Sequence, residues 1–152
     1  MNNLHVTLEP AQIAACTQTD LPEALKKVFG GQALQHQVDV YNAAKDHDLI
    51  LDLSATGTGK TKAGFSVILE NPTRNVVYVA PTNALVEQQS IAAEKFVEVA
   101  GLPHVVKAAS AKHVKSWPSD RVGRRAGEKI YNVLQDPSTL FPECGGGRPI
   151  LL

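Results

Sequence analysis

The stretch "LSATGTGKT", residues 53–61, follows an apolar segment, "DLILDLS", and precedes a helical pattern, "KTKAGFSVILE". A glycine-rich loop between a strand and a helix suits a triphosphate, because Gly57 and Gly59 permit positive φ angles and bring backbone N–H groups together. Lys60 supplies a positive charge for the β and γ phosphates, and the Thr61 hydroxyl suits Mg²⁺. The N-terminus of the following helix adds a partial positive charge. The clear elements on both sides favour this interpretation over a plain flexible turn.

Residue patterns upstream of the loop predict one strand and two helices. A short strand is predicted in "LHVTL", residues 4–8. A helix follows in "DLPEALKKVFGG", with Asp20 as its cap, Glu23 in a capping box and Gly30 at its end. A second helix, "ALQHQVDVYNAAKDH", is predicted to bury a face made of Leu34, Val38 and Tyr41.

Downstream segments continue the alternation of strands and helices. "NVVYVA" and "HVVKAAS" are apolar enough for parallel strands, and a long helix between them ends at Gly101. "PSDRVGRRAGEKIYNVLQDP" predicts one further helix, capped by Ser119, and the final "PILL" resembles the opening of a strand. Alternating strands and helices indicate βαβ units, and therefore an α/β layered fold with a mainly parallel sheet.

Composition limits the compartment and the partners. The chain of 152 residues has fifteen Lys and Arg and fifteen Asp and Glu, so it has no net field to attract a polyanion or a membrane. Its two cysteines, Cys16 and Cys144, lack the spacing of a zinc site or a disulfide framework. No segment reaches the roughly 20 apolar residues of a membrane span, and no signal peptide is recognisable. We expect a cytoplasmic protein of one core with no membrane partner.

The loop resembles motif I of the superfamily 2 helicases and translocases, usually Ala-x-Thr-Gly-x-Gly-Lys-Thr. It departs from the strict P-loop pattern at Ser54, which stands where glycine is customary. The resemblance implies a RecA-like (P-loop NTPase) fold, here incomplete at the C-terminus. It also implies ATP and Mg²⁺ as cofactors, with Lys60 and Thr61 catalytic and Thr61 on the metal. The nucleotide-binding set is Gln37, Thr56, Gly57, Thr58, Gly59, Lys60 and Thr61.

Two flanking motifs strengthen this resemblance. Gln37, in "LQHQ", lies one helix upstream of the loop, as does the glutamine that recognises adenine in this superfamily; a solvated helical glutamine is the alternative. "VVYVAPTNALVEQ" resembles motif Ia, which implies that Pro81, Thr82 and Asn83 contact a nucleic acid backbone. The alternative there is an ordinary connection with a capping threonine.

Within the superfamily, "GEKIYNVLQDPSTLFPECGGGRPILL" and "LQHQVDVYNAAKDHDLILDLSATGTGKT" are most similar to the helicase of type I-D CRISPR interference. That family unwinds a DNA target, driven by ATP, after an RNA-guided complex has opened it. The resemblance therefore implies two partners, single-stranded DNA and an RNA-guided CRISPR effector complex. The preference for DNA over RNA, the polarity of translocation and the oligomeric state do not follow from these residues.

Hydrolysis in this superfamily needs a second motif, Asp-Glu-x-Asp or Asp-Glu-x-His, but no Asp-Glu pair occurs in the chain. We expect the chain to be the N-terminal fragment of a motor, inactive by itself, with an N-terminal extension at 1–33 and the truncated RecA-like domain at 34–152. The alternatives are a non-catalytic nucleotide-binding or interaction module and another P-loop NTPase, such as an adenylate-type kinase.

Two further features of the sequence bear on function. The pair His47 and Asp48 is typical of metal-dependent nucleases, but no further ligands are suitably spaced, so a polar loop is predicted. Residues 107–129 contain seven basic residues against Asp120 and Glu128, with His113 and Trp117 nearby. This segment is either a nucleic-acid-binding face or a solvated side of helices. The basic residues are Lys107, Lys112, Lys115, Arg121, Arg124, Arg125 and Lys129.

Overall fold

The computed structural model describes residues 20–152. Its helices are α1 (Glu23–Phe29), α2 (Gln35–Ala43), α3 (Lys60–Ser66), α4 (Asn83–Ala100), α5 (Ala111–Ser116), α6 (Ser119–Val122) and α7 (Ala126–Gln135). Its strands are β1 (Val105–Val106) and β2 (Ile150–Leu151), and three 3-10 segments cover Val67–Glu70, Pro137–Thr139 and Pro142–Cys144. The strand predicted at residues 4–8 lies outside the described part of the chain.

A small parallel sheet is built around β2. On one side β2 pairs with β1, with Val105 opposite Ile150. On the other side Val76 forms a parallel bridge with Leu151, and the N–H of Tyr78 donates to the carbonyl of Leu152 at 2.9 Å. The final apolar run, predicted as the opening of a strand, is therefore confirmed as a strand with neighbours on both edges.

Helices cover both faces of this sheet. Leu151 belongs to a first core cluster with residues of α1 to α4, such as Leu25, Phe65 and Phe96. Ile150 points the other way, into a second cluster that includes one buried valine from each of α5, α6 and α7. Because successive side chains of a strand point to opposite faces, β2 serves both cores at once. The members of the second cluster are Val105, Val114, Trp117, Val122, Val133, Cys144, Ile150 and Leu152.

The strand predicted at residues 48–54 is not formed. This segment has neither strand nor helix geometry, and Leu49, Leu51 and Leu53 are 88%, 79% and 83% exposed. Within residues 20–152 no strand lies beside it, so its backbone has no ladder to join. An apolar run becomes a strand only where a partner supplies the hydrogen bonds. The prediction for this segment is wrong for the described chain.

The other predicted strands are shorter than expected. Of residues 75–80 only Val76 forms a bridge, and of residues 104–110 only β1 has strand geometry. Their N-terminal parts meet β2, whereas their later residues pass beyond its end.

Helix ends at glycine follow the sequence closely. Gly30 and Gly101 both adopt the left-handed conformation, φ 62° and 68°, directly after α1 and α4. Such glycines end helices because they lack a Cβ that would clash there. Val38 and Tyr41 are buried on α2 as predicted, and Leu34 is half-buried.

Several helix starts and lengths differ from the predictions. The N-cap of α1 is Pro22, without a side-chain cap, and the Glu23 carboxylate pairs with Lys26 instead of forming a capping box. The helix after the loop ends at Ser66 and continues as a 3-10 turn. The helix predicted from Ser119 is broken into α6 and α7 at Gly123, whose φ is 97°. Pro118, and not Ser119, is the N-cap of α6.

The structure adds α5, which the sequence patterns did not predict. It has six residues, begins after Ser110 and buries Val114. So short a helix has only one inward-facing apolar residue, which is too little to produce a periodic signal. Among the helices of residues 20–152, none has the length and apolar character required to cross a bilayer.

Candidate nucleotide-binding loop

The glycine-rich loop has the backbone geometry that its sequence predicts. Gly57 and Gly59 have φ angles of 83° and 79°, and Gly59 is the N-cap of α3. The backbone N–H groups of Gly57, Gly59, Lys60 and Thr61 donate to no other described residue. A row of free N–H groups at a helix N-terminus is a binding site for phosphate oxygens.

Lys60 is folded back onto this loop. Its Nζ donates to the carbonyl oxygens of Ser54 at 2.7 Å and Ala55 at 2.8 Å, and the side chain is exposed. The ammonium therefore has neutral acceptors and no carboxylate within ion-pair distance in the described chain. An anion that reaches the loop competes with two carbonyl groups, and with the more distant charge of Asp52, for this ammonium.

Thr58 and Ser54 brace the loop from inside. The Thr58 hydroxyl donates to the carbonyl of Ala55 at 2.8 Å and to the Ser54 Oγ at 3.2 Å, and Thr58 is buried. The residue that departs from the strict motif, Ser54, is thus an internal hydrogen-bond partner. Thr56 lies on the exposed side of the loop and Thr61 is half-buried in the first turn of α3.

Asp52 is a residue of this site that the motif did not indicate. One of its carboxylate oxygens accepts from the N–H of Ser54 at 2.9 Å, and the other is buried without a hydrogen-bond partner in the described chain. Burial raises the pKa of Asp52, but hydrogen bonds from Ser54 and the charges of His36 and Lys60 outweigh it, and the pKa falls below its usual value. Its place directly before the motif was the available signal.

Gln37 lies directly against the loop. Its Nε2 donates to the carbonyls of Thr58 at 3.2 Å and Gly59 at 3.4 Å, and its Oε1 accepts from the N–H of Leu34 at 3.0 Å. A Cβ on Gly59 would approach this Nε2 to 2.7 Å, so a larger residue there would displace the Gln37 amide, and the φ angle of 79° itself favours glycine. The structure thus brings Gln37 together with the loop, and gives its amide internal partners.

The three residues predicted to contact nucleic acid lie at the start of α4. Thr82 is the N-cap, and its hydroxyl accepts from the N–H of Leu85 at 3.2 Å. Pro81, Thr82 and Asn83 are exposed, and the N–H groups of Asn83 and Ala84 donate to no described residue. This helix start has free donors for a phosphodiester, with the threonine hydroxyl already used as a cap.

The basic segment divides into buried, paired and free cations. Lys129 is buried, and its Nζ donates to the carbonyls of Val114 and Trp117 at 3.2 and 2.5 Å. Lys107 pairs with the Glu143 carboxylate. Trp117 is buried in the second core cluster and unavailable for base stacking. Neither lysine therefore belongs to a free basic face.

His47 and Asp48 are exposed and lie in an irregular segment. No group of three or more His, Cys, Asp or Glu able to hold a metal ion occurs among residues 20–152.

Comparison with known proteins identifies the family. The model of the DEAD/DEAH box helicase family matches residues 34–124, more than half of the chain, and this range contains Gln37, the glycine-rich loop and the start of α4. No curated protein and no solved structure gives a significant match. The family implies a RecA-like fold, superfamily 2 helicase motors and ATPase chemistry with nucleic acid. The chain belongs to the DEAD/DEAH box helicase family.

Proposed function

We propose that residues 54–61 hold Mg-ATP for an ATP-dependent helicase motor. The observation that carries the proposal is the set of N–H groups of Gly57, Gly59, Lys60 and Thr61, unpaired within residues 20–152, beside an ammonium that donates to two carbonyl groups. In this proposal the binding residues are Thr56, Gly57, Thr58, Gly59, Lys60 and Thr61.

Each part of the loop has a separate task in this proposal. The N–H groups donate to phosphate oxygens, and Lys60 leaves the carbonyls of Ser54 and Ala55 to meet the β and γ phosphates. The Thr61 hydroxyl, half-buried at the first turn of α3, is the residue that would hold Mg²⁺. When bound, the metal neutralises charge on the phosphate oxygens.

Isothermal titration with Mg-ATP tests the site. Lys60→Ala is expected to weaken binding by about 10-fold or more, because a charge-assisted hydrogen bond is worth roughly 1.5–3 kcal/mol. Lys62→Ala is the matched control, since Lys62 is exposed two residues away and lies over the Phe29 ring. Equal weakening of Mg-ATP binding by both substitutions would contradict the proposal, as would no weakening by either.

Hydrolysis of the bound ATP requires a second motif in addition to the glycine-rich loop. Because the 152 residues contain no Asp-Glu pair, no carboxylate pair of the family type holds Mg²⁺ and positions water. We expect phosphate release by this chain, with single-stranded DNA present, to equal that of Lys60→Ala. Release well above that variant would refute this expectation.

Gln37 is proposed to recognise adenine. Its amide can donate to and accept from the adenine edge, but it must first exchange its bonds to Thr58 and Gly59. Gln37→Ala is therefore expected to lower the ratio of ATP to GTP affinity. An unchanged ratio, with both nucleotides weakened equally, would leave Gln37 as a brace for the loop only.

The nucleic acid and the wider system are also proposals. Pro81, Thr82 and Asn83 would contact the backbone of a single strand of DNA, supported by the free N–H groups at the start of α4. The similarity of residues 34–61 and 127–152 to the type I-D CRISPR helicase supports an RNA-guided effector complex as partner, in the cytoplasm. The proposed domain boundary lies between residues 33 and 34.

A further inference from the structure

We propose that α5, α6 and the turn before α7 form a second contact surface for the backbone of single-stranded nucleic acid, next to the start of α4. The inference rests on the proposed function and extends it to residues outside the helicase motifs. The surface consists of five exposed cations, Lys112, Lys115, Arg121, Arg124 and Arg125, and is called the α5–α6 basic surface.

The helices beneath this surface are firmly held. Val114, Trp117 and Val122 are buried in the second core cluster, so the polar residues between them face solvent. The buried Lys129 of α7 donates to the carbonyls of Val114 and Trp117, where α5 ends. Asn132 of α7 donates to the carbonyl of Val122 at 3.2 Å, where α6 ends. The cations therefore stand on an ordered support.

The charge of the surface is unbalanced. None of the five cations has an ion-pair partner within 4.0 Å in the described part of the chain. Of the two acids in the segment, Glu128 accepts from the N–H groups of Arg124 and Arg125 at 3.0 and 3.3 Å, and Asp120 is exposed. On α5, Lys112 and Lys115 are three residues apart and neighbours on one helix surface. Such a cluster of like charges is stabilised by an anionic partner.

The position of α5 beside α4 favours a nucleic acid as the partner of this surface. His113, between the two lysines, lies 3.7 Å from the Glu87 carboxylate of α4, and its Nδ1 lies 2.8 Å from the Ser110 hydroxyl. Glu87 is in the second turn of α4, after the free N–H groups of Asn83 and Ala84. Through this contact α5 lies beside the second turn of α4, one helical turn after the free donors at its start.

The expected contact is electrostatic and independent of base sequence. Trp117 is buried, and the only exposed aromatic side chain close in sequence is Tyr131 on α7, so stacking has little part. Contacts between cations and phosphates release counterions, and the affinity of a single strand therefore falls with salt, with a slope of roughly 0.7 per phosphate contact.

The test is a salt series of fluorescence anisotropy titrations with the 152-residue protein. The probe is a labelled single strand of roughly 16 nucleotides, the upper length held by common single-strand-binding folds. Lys112→Gln with Lys115→Gln is compared with Lys27→Gln with Lys95→Gln, two exposed lysines on α1 and α4. The first double variant is expected to reduce the slope of log affinity against log salt by about 1.4, and the control to leave it unchanged.

A second variant carries Arg121→Gln, Arg124→Gln and Arg125→Gln in addition to the two lysine substitutions. It is expected to reduce the slope of log affinity against log salt by up to about 3.5. Equal slopes for both double variants would overturn the inference, as would an oligonucleotide that fails to bind the wild-type protein at low salt. Mg-ATP titration of the same variants is expected to match wild type. The nucleotide site is tested separately by the Mg-ATP affinity of Lys60→Ala. An unchanged salt slope would therefore contradict the basic surface alone, whereas an unchanged Mg-ATP affinity of Lys60→Ala would contradict the proposed function.

Discussion

Residues 49–53 and residues 150–152 are two apolar stretches of similar character with opposite fates. Leu49, Leu51 and Leu53 are each at least 79% exposed, whereas Ile150 and Leu151 are 0% and 2% exposed. β2 has a hydrogen-bonding neighbour on each edge and helices on each face. Residues 49–53 have neither in the described chain.

The difference shows what an apolar pattern measures. The pattern indicates that burying each large side chain of the segment under another layer would stabilise the fold by about 1.5–3 kcal/mol. It does not show that the layer is provided. The glycine-rich loop after residues 49–53 keeps its geometry because local hydrogen bonds of Ser54, Thr58 and Gln37 hold it, without support from a sheet.

The largest expected effect is the difference between substitutions in the two stretches in the free energy of unfolding that they remove. Ile150→Ala should lower the free energy of unfolding by about 2–5 kcal/mol, because it leaves a cavity in a fully buried site. Leu51→Ala should change it by less than about 0.5 kcal/mol, because the side chain is mostly exposed. Urea unfolding followed by circular dichroism measures both, and similar losses would break the comparison.

A medium effect is expected where a side chain anchors β2. Asn75 accepts from the N–H of Ile150 at 3.0 Å and donates to the carbonyl of Leu134 at 2.6 Å. Asn75→Ala should cost about 1–2 kcal/mol, since each hydrogen bond contributes roughly 1 kcal/mol. The control is Asn42→Ala on the exposed side of α2, expected to cost little in the same urea titration. A loss at Asn42 equal to that at Asn75 would contradict the anchoring role.

The smallest effect concerns pH near β1. His104 is buried, and burial lowers its pKa from the usual 6.5, although its contact of 2.9 Å with the Arg74 carbonyl acts in the opposite direction. The folded chain therefore binds this proton less readily than the unfolded chain. The contribution of His104 to stability is fully present above about pH 6.5 and decreases as the pH falls below it.

His104→Gln should make stability less dependent on pH between about 7.5 and 5.5, because it removes a buried imidazole whose pKa is lower in the folded chain than in the unfolded chain. Urea midpoints at several pH values test this. Parallel curves for wild type and His104→Gln would show that other groups dominate.

Several local features of the fold followed from the sequence, although the helix caps predicted at Asp20, Glu23 and Ser119 did not. The loop glycines, the helix ends at Gly30 and Gly101 and the buried face of α2 depend on a few neighbouring residues. The adjacency of Gln37 to the loop came from motif order, because α2 and α3 are close neighbours along the chain.

Features that depend on distant partners were missed. The length of each strand depends on β2, which pairs with segments some 45 and 75 residues away. Gly123 breaks the last helix because its φ of 97° admits no helical turn, although the apolar pattern continues across it. The burial of Lys129 and Trp117 required the second core cluster, which no local pattern reveals.

The second core cluster also contains Cys144, with consequences for thiol chemistry. The side chain is 3% exposed, and burial, with the Glu143 charge as a smaller cause, raises the pKa of its thiol. The thiolate is the form that attacks alkylating reagents, so this buried sulfur reacts only when the cluster opens. In a chain carrying Cys16→Ser, the rate at which a maleimide labels Cys144 therefore measures how readily this cluster opens.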